Sequence, residues 1–187
     1  LALPGAPTGH EFDYFTKSCG FPAPTQTLYF DSPFDIAAQC RIFVPAAETA
    51  YDRSFEADPE QFLKERIHLT GSMIHVMNGR TLSLYTSTSR LEGAAWILKN
   101  LFPENILAQG IDEADNDELA QSFINDPQKV LLGTKSFFQG FDAPGETLSC
   151  EILEKLPFRY KNDPILTKKA ALAGEENGFK EVILPAM

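Results

Sequence analysis

From residue 80 onward the chain alternates short apolar runs with amphipathic stretches of helical length, and this alternation most constrains its fold. Residues 82–85 read as a strand. Ser89 with Glu92 three residues later reads as a capping box, after which Leu91, Ala94, Ala95, Leu98 and Leu101 fall on one broad helical face. Residues 105–108 read as the next strand, and Asp115 with Glu118 as a second capping box that turns Leu119 and Phe123 inward. Residues 129–133 form a buried strand in this reading, and 147–153 another. Strands separated by single helices pair in parallel through right-handed crossovers. The expected class is therefore α/β, a doubly wound and mainly parallel sheet with helices on both faces.

The preceding segment is less regular. Pro and Gly punctuate an irregular lead-in over residues 1–25, with a short helix expected near 11–18. Residues 27–30 and 41–44 are β-rich and bounded by Pro33 and Pro45, so both read as short strands. Asp58, Pro59 and Gln61 spell a helix start, and the stripe Leu63, Ile67, Thr70, Ile74, Met77 carries that helix to Asn78 and Gly79. No internal repeat appears, and residues 1–187 are expected to form a single domain.

Composition narrows the class. Of 187 residues, 43% are hydrophobic, which argues against disorder, and the longest apolar runs fall far short of the roughly 18–20 residues of a membrane span. Twenty-six Asp and Glu against sixteen Lys and Arg leave a net charge of −10, so any contact with nucleic acid must be local. Cys19, Cys40 and Cys150 are odd in number and far apart, which points to a reducing compartment, here the cytoplasm. His68 and His75 would lie two helical turns apart, about 10 Å, too far to share one metal. The chain starts at Leu1 without a signal-peptide pattern, and is expected to be part of something longer.

In a doubly wound sheet the ligand crevice lies outside the carboxyl ends of the strands, which selects residues 86–89, 109 and 110, 133–145 and 156–164. The third loop is the richest. Gly133, Gly140 and Gly145 with Thr134, Lys135, Ser136 and Gln139 can present N–H groups and hydroxyls to an anion, or simply shape a loop around Phe137 and Phe141. Walker A, G-x-G-x-x-G, G-x-S-x-G and H-E-x-x-H patterns are all absent from the chain.

The run VLLGTKSFFQGFDAPGETL over residues 130–148, continued by EILEKLPF over 151–158 and by Asp163 and Pro164, resembles motif V and its sequel in superfamily 2 helicases of the DinG/XPD type. GRTLSLYTS over 79–87 resembles motif IV, Gln109 and Gly110 resemble the following strand end, and Ser32, Pro33 and Phe34 resemble a short signature near the start of the second domain. Leu1 would fall at or just after the Ser-Ala-Thr-Leu motif, and Met187 shortly before the Gln-x-x-Gly-Arg-x-x-Arg motif VI.

The resemblance implies the second RecA-like motor domain of an ATP-dependent DNA helicase, partnered by a first RecA-like domain and by single-stranded DNA. ATP and Mg would be bound mainly by that first domain, and any iron–sulfur cluster would also lie outside this chain. By the same resemblance, Gly140 and Asp142 face the nucleotide cleft, while Thr134, Lys135 and Ser136 lie nearer the strand. Thr86 and Ser87, between a strand and a helix, can meet a phosphate or merely cap the helix. Gln109 can bond a sugar or phosphate or lie idle at the surface. Asp142 has a plain alternative as a turn residue, and Gly140 as a positive-φ residue. Trp96 reads as packing, and the acidic stretch 112–118 as a solvated helix start. Two further readings remain: a non-catalytic binding or scaffold domain that keeps the helicase fold, and an unrelated α/β nucleotide-binding enzyme, for which the sequence singles out no nucleophile–base pair or acidic pair.

Overall fold

A computed structural model describes residues 12, 16, 19, 20, 28, 30, 32–44, 59–157 and 163–174. In chain order the elements are α1 (Ile36–Gln39), α2 (Pro59–Met77), β1 (Thr81–Leu84), α3 (Thr88–Leu101), β2 (Ile106–Ala108), α4 (Asn116–Asn125), β3 (Val130–Gly133), a 3-10 turn (Lys135–Phe137), β4 (Cys150–Leu153) and α5 (Pro164–Ala173). The chain divides into two compact units, one of Leu1–Val44 with Arg159–Ala186, the other of Pro45–Phe158 with Met187.

In the first unit, Asp35 caps α1 by accepting from the Ala38 N–H, and Asp163 caps α5 by accepting from the Ile165 and Leu166 N–H groups, with Pro164 in the first turn. Residues 41–44 are not the expected strand. They lack regular structure, and the Arg41 guanidinium folds back to donate to the Ala37 carbonyl at 2.6 Å. Strand propensity without a paired neighbour does not make a strand. The expected helix over 11–18 and strand over 27–30 lie largely outside the described residues.

The second unit holds the sheet. Its four strands run parallel in the order β2-β3-β1-β4, as the doubly wound expectation requires. Period-two alternation splits the core. Val130 and Leu132 of β3 and Ile106 and Ala108 of β2 pack with Ile67, Ile74, Leu91 and Leu98 of α2 and α3. Leu131, with Leu82 and Leu84 of β1, packs on the other face against Leu119 and Phe123 of α4 and Phe137 beyond β3. The connection leaving β1 thus runs over one face, and those leaving β2 and β3 over the other. Leu98 and Phe123 are each 0% exposed, which stabilises the fold by about 1.5–3 kcal/mol apiece.

Helix α2 begins at Pro59, as its start signal requires, and buries Ile67, Thr70 and Ile74 of the expected stripe. It closes through the Gly79 N–H on the Ile74 carbonyl at 3.1 Å, with Asn78 at φ 52° and Gly79 at φ 85°. Arg80 follows, also left-handed at φ 50°. Its N–H donates to the Pro127 carbonyl, its carbonyl accepts from the Ser149 and Cys150 N–H groups, and its guanidinium pairs with Glu146 at 3.3 Å. Helix α3 starts two positions earlier than expected. Ser87 occupies the cap and Ser89 lies inside the helix, so the Ser89–Glu92 box does not form. Leu91, Ala94, Ala95 and Leu98 are buried as expected, but Leu101 is 61% exposed, because the stripe has rotated outward by the last turn. The Asp115–Glu118 capping box of α4 forms in full. No described helix is long and apolar enough to cross a membrane.

Candidate functional site

Because all four strands are parallel, their carboxyl ends share one edge of the sheet. The main-chain ladder continues a step beyond the strands: Tyr85 N–H donates to Gly133 O, Gln109 N–H to Leu132 O and Glu154 N–H to Leu84 O, at 2.9–3.0 Å. Thr86 and Ser87, Gln109, and Thr134, Lys135 and Ser136 therefore all leave from that edge, as expected of the ligand side of such a sheet.

Gly133 sets the turn that follows β3. A Cβ there would lie 2.7 Å from the Phe137 ring, so only glycine lets that ring fold back beneath the strand end. Phe137 is buried and meets Phe141 edge-on, with centroids 5.4 Å apart, and Phe141 also contacts Phe123 at 5.9 Å. This aromatic anchor supports the turn-shaping reading of the loop. It also leaves Thr134 half-buried and Lys135 and Ser136 exposed. Lys135 makes no ion pair among the described residues.

Gln109 is far from idle. Its Oε1 accepts from both the main-chain N–H and the hydroxyl of Thr134, each at 2.8 Å. Its Nε2 donates to Ser136 Oγ at 2.7 Å and to Asn116 Oδ1 at 2.9 Å. Asn116 has no assigned role in the sequence reading, although the Asp115 capping box fixes it as the first residue of α4 and so beside this edge. Ser87 caps α3 by position, yet its hydroxyl bonds no helix N–H and lies 3.4 Å from Ser89 Oγ. Simple side-chain capping is therefore not its role. Thr86 is exposed.

Gly140 and Asp142 flank the anchored Phe141 and are both exposed. Gly140 adopts φ 76° with open space around it, so the turn reading of this glycine holds. Asp142 makes no hydrogen bond among the described residues, which removes the argument for it as a turn-forming side chain.

Two surroundings differ from expectation. Trp96 is 75% exposed and does not pack, because it lies on the outward side of α3. Asp112, in the acidic stretch, is not simply solvated: its carboxylate accepts from the Ala108 N–H at 2.7 Å and pairs with Lys99. Behind the β1 end, Tyr85 is buried beside Glu154, and Glu154 pairs with Arg90. Burial, with the Glu154 charge adding to it, pushes the Tyr85 phenol up to about 12. The Cys150 thiol, half-buried on β4, is also raised by burial.

Residues 70–187 match the Helicase C-terminal domain family. The chain is 30% identical over 178 residues to a Mycobacterium tuberculosis protein named ATP-dependent helicase DinG, covering 93% of this chain and 26% of that one. It is 28% identical to the ATP-dependent DNA helicase YoaA of Escherichia coli, covering 94% of this chain and 26% of the relative. It is 27% identical to the 3'-5' exonuclease DinG of Bacillus subtilis, covering 86% and 17% respectively. The chain thus spans about a quarter or less of the length of these relatives.

Proposed function

The chain belongs to the helicase C-terminal domain family, of the DinG type and RecA-like in fold, and we propose that residues 1–187 act as one unit, the second motor domain of a cytoplasmic ATP-dependent DNA helicase. In this reading a first RecA-like domain elsewhere in the protein holds ATP and Mg. This domain closes on the nucleotide and couples hydrolysis to movement along single-stranded DNA.

Phosphoryl transfer in such motors depends on positioning and electrostatic stabilisation. Gly140 and Asp142 supply the nucleotide-facing loop. Its fit to that role is that Phe141 is anchored while the Asp142 carboxylate is left exposed and uncommitted. Thr86, Ser87, Gln109, Thr134, Lys135 and Ser136 make up the strand-facing surface. The observation that carries the reading is their departure from a single edge of one parallel sheet, with an unpaired lysine among hydroxyls. Among the described residues no three His, Cys, Asp or Glu side chains lie grouped as metal ligands. Any iron–sulfur cluster belongs, in this reading, to another part of the protein. Without a phosphate-binding loop of its own, this chain alone does not turn over ATP.

The test is DNA-stimulated ATP turnover by the full-length protein and its Asp142→Ala variant. We expect turnover to fall at least about tenfold, since the carboxylate acts when the domains close, while the melting temperature moves little. A collapsed melting temperature with normal turnover per folded molecule would make Asp142 a structural residue and remove the basis for the cleft assignment.

A further inference from the structure

We propose that Gln109 and Thr134 are positioning residues, and that they present Ser136 as the hydroxyl that donates to the DNA backbone. The proposal rests on the strand-facing reading above and divides its labour. A primary carboxamide has two acceptor lone pairs and two N–H donors. All four of those of Gln109 are engaged, with Thr134 N, Thr134 Oγ1, Asn116 Oδ1 and Ser136 Oγ at 2.7–2.9 Å. A main-chain N–H can only donate, so the atom facing Thr134 N must be Oε1, and the amide orientation is fixed. Nothing on Gln109 is left for a phosphate or sugar.

The same bookkeeping separates the two hydroxyls. The Gln109 carbonyl oxygen has no proton, so Thr134 Oγ1 must give its own to that bond. Thr134 therefore has no proton to offer a phosphate oxygen. Ser136 Oγ is in the opposite state. It accepts from Gln109 Nε2 and, at 3.5 Å, from Asn116 Nδ2, so its hydroxyl proton is free to point outward. Ser136 is exposed and adjacent to the unpaired Lys135, which makes a donor and a charge side by side. Asn116, at the start of α4, completes the latch by receiving the remaining Gln109 N–H.

The experiment uses the full-length protein with oligo-dT as the strand. Hydrogen exchange of residues 133–138 is measured without DNA, and the oligo-dT concentration giving half-maximal ATP turnover is measured for Ser136→Ala, Gln109→Met, the double variant and Lys135→Ala. We expect Gln109→Met, which removes three hydrogen bonds to this segment, to accelerate exchange at 133–138 at least about tenfold before any DNA is added, tenfold being the net worth of roughly one of them. Ser136→Ala and Gln109→Met should each raise the half-saturating concentration about tenfold, and the double variant no more than about twofold beyond Ser136→Ala. Unchanged exchange, or penalties that multiply in the double variant, overturns the latch. A normal Ser136→Ala beside an impaired Lys135→Ala overturns the division of roles alone. Normal behaviour in both overturns the strand-facing surface itself.

Discussion

The Arg90 guanidinium lies against the Glu154 carboxylate, its Nη1 2.8 and 3.1 Å from the two oxygens, with both side chains largely shielded from water at 16% and 7% exposure. This pair ties the first turn of α3 to the residue after β4, while Arg66 of α2 donates to the Glu154 carbonyl at 3.3 Å. Helices α2 and α3 and the chain leaving β4 are therefore joined at Glu154.

Removing one member of such a pair leaves a shielded charge without compensation, at a cost of about 3 kcal/mol. Arg90→Leu should therefore destabilise the domain by about that much in urea unfolding, and Arg90→Leu with Glu154→Leu should recover most of the loss. An Arg90→Leu loss below about 0.5 kcal/mol would mean that the pair behaves as a solvent-exposed one.

Tyr85 predicts an alkaline weakness. Its phenol ionises near 12 in the folded chain, against 10.0 for the unperturbed group, so the folded state holds this proton more tightly. The stability it contributes is complete below pH 10 and is lost as pH climbs toward 12, by up to about 3 kcal/mol. Chemical denaturation at pH 9 and pH 11 should show a drop in the native protein that exceeds the drop in Tyr85→Phe. Equal drops would place the titration elsewhere.

Gly79 should tolerate nothing larger. A Cβ there would meet the Gln128 carbonyl oxygen at 2.3 Å, a main-chain atom unable to swing aside, at a φ of 85°. Gly79→Ala is expected to cost at least about 2 kcal/mol. Gly110→Ala, with φ 72° and nothing within 4 Å, should cost only about 1 kcal/mol. Comparable melting temperatures for the two variants would contradict the close approach.

For the isolated 187-residue chain, ATP turnover with single-stranded DNA should stay at the buffer level. Its DNA binding should be weak and salt-sensitive, with a slope matching roughly one to three phosphates, since a body of net charge −10 offers few cations at the edge. Robust turnover by this chain would require a phosphate-binding loop that its sequence lacks.

Local signals proved most legible where one short pattern fixes the geometry. The Asp115–Glu118 box and the Ile67, Thr70, Ile74 stripe appear as read, because capping and helical period are set within a turn or two. Ser89 failed as a cap because α3 already begins at Thr88, which leaves Ser89 inside the first turn, and where a strand hands over to a helix is not written in a single serine. Residues 41–44 carry strand propensity but find no partner among the described residues, and pairing is a tertiary matter. At the candidate site the residue types were legible one by one. Their connections were not, because the register of β2 against β3 is what brings Gln109 to Thr134 and Ser136. The partly buried Arg90–Glu154 pair left no signal at all, its members being far apart in sequence.

The left-handed corner at Asn78, Gly79 and Arg80 bears on the order in which the domain assembles. Two of its residues adopt a backbone that disfavours side chains by about 1–2 kcal/mol each, and what holds Arg80 there comes from Pro127, Glu146, Ser149 and Cys150, far down the chain. The Asn78 and Gly79 part is closed by α2 itself, but until the chain around β3 and β4 has docked the holds on Arg80 do not exist. The joint between α2 and β1 is short in sequence, yet a folding nucleus built on α3, α4 and the central strands would leave its Arg80 end unheld until β4 pairs.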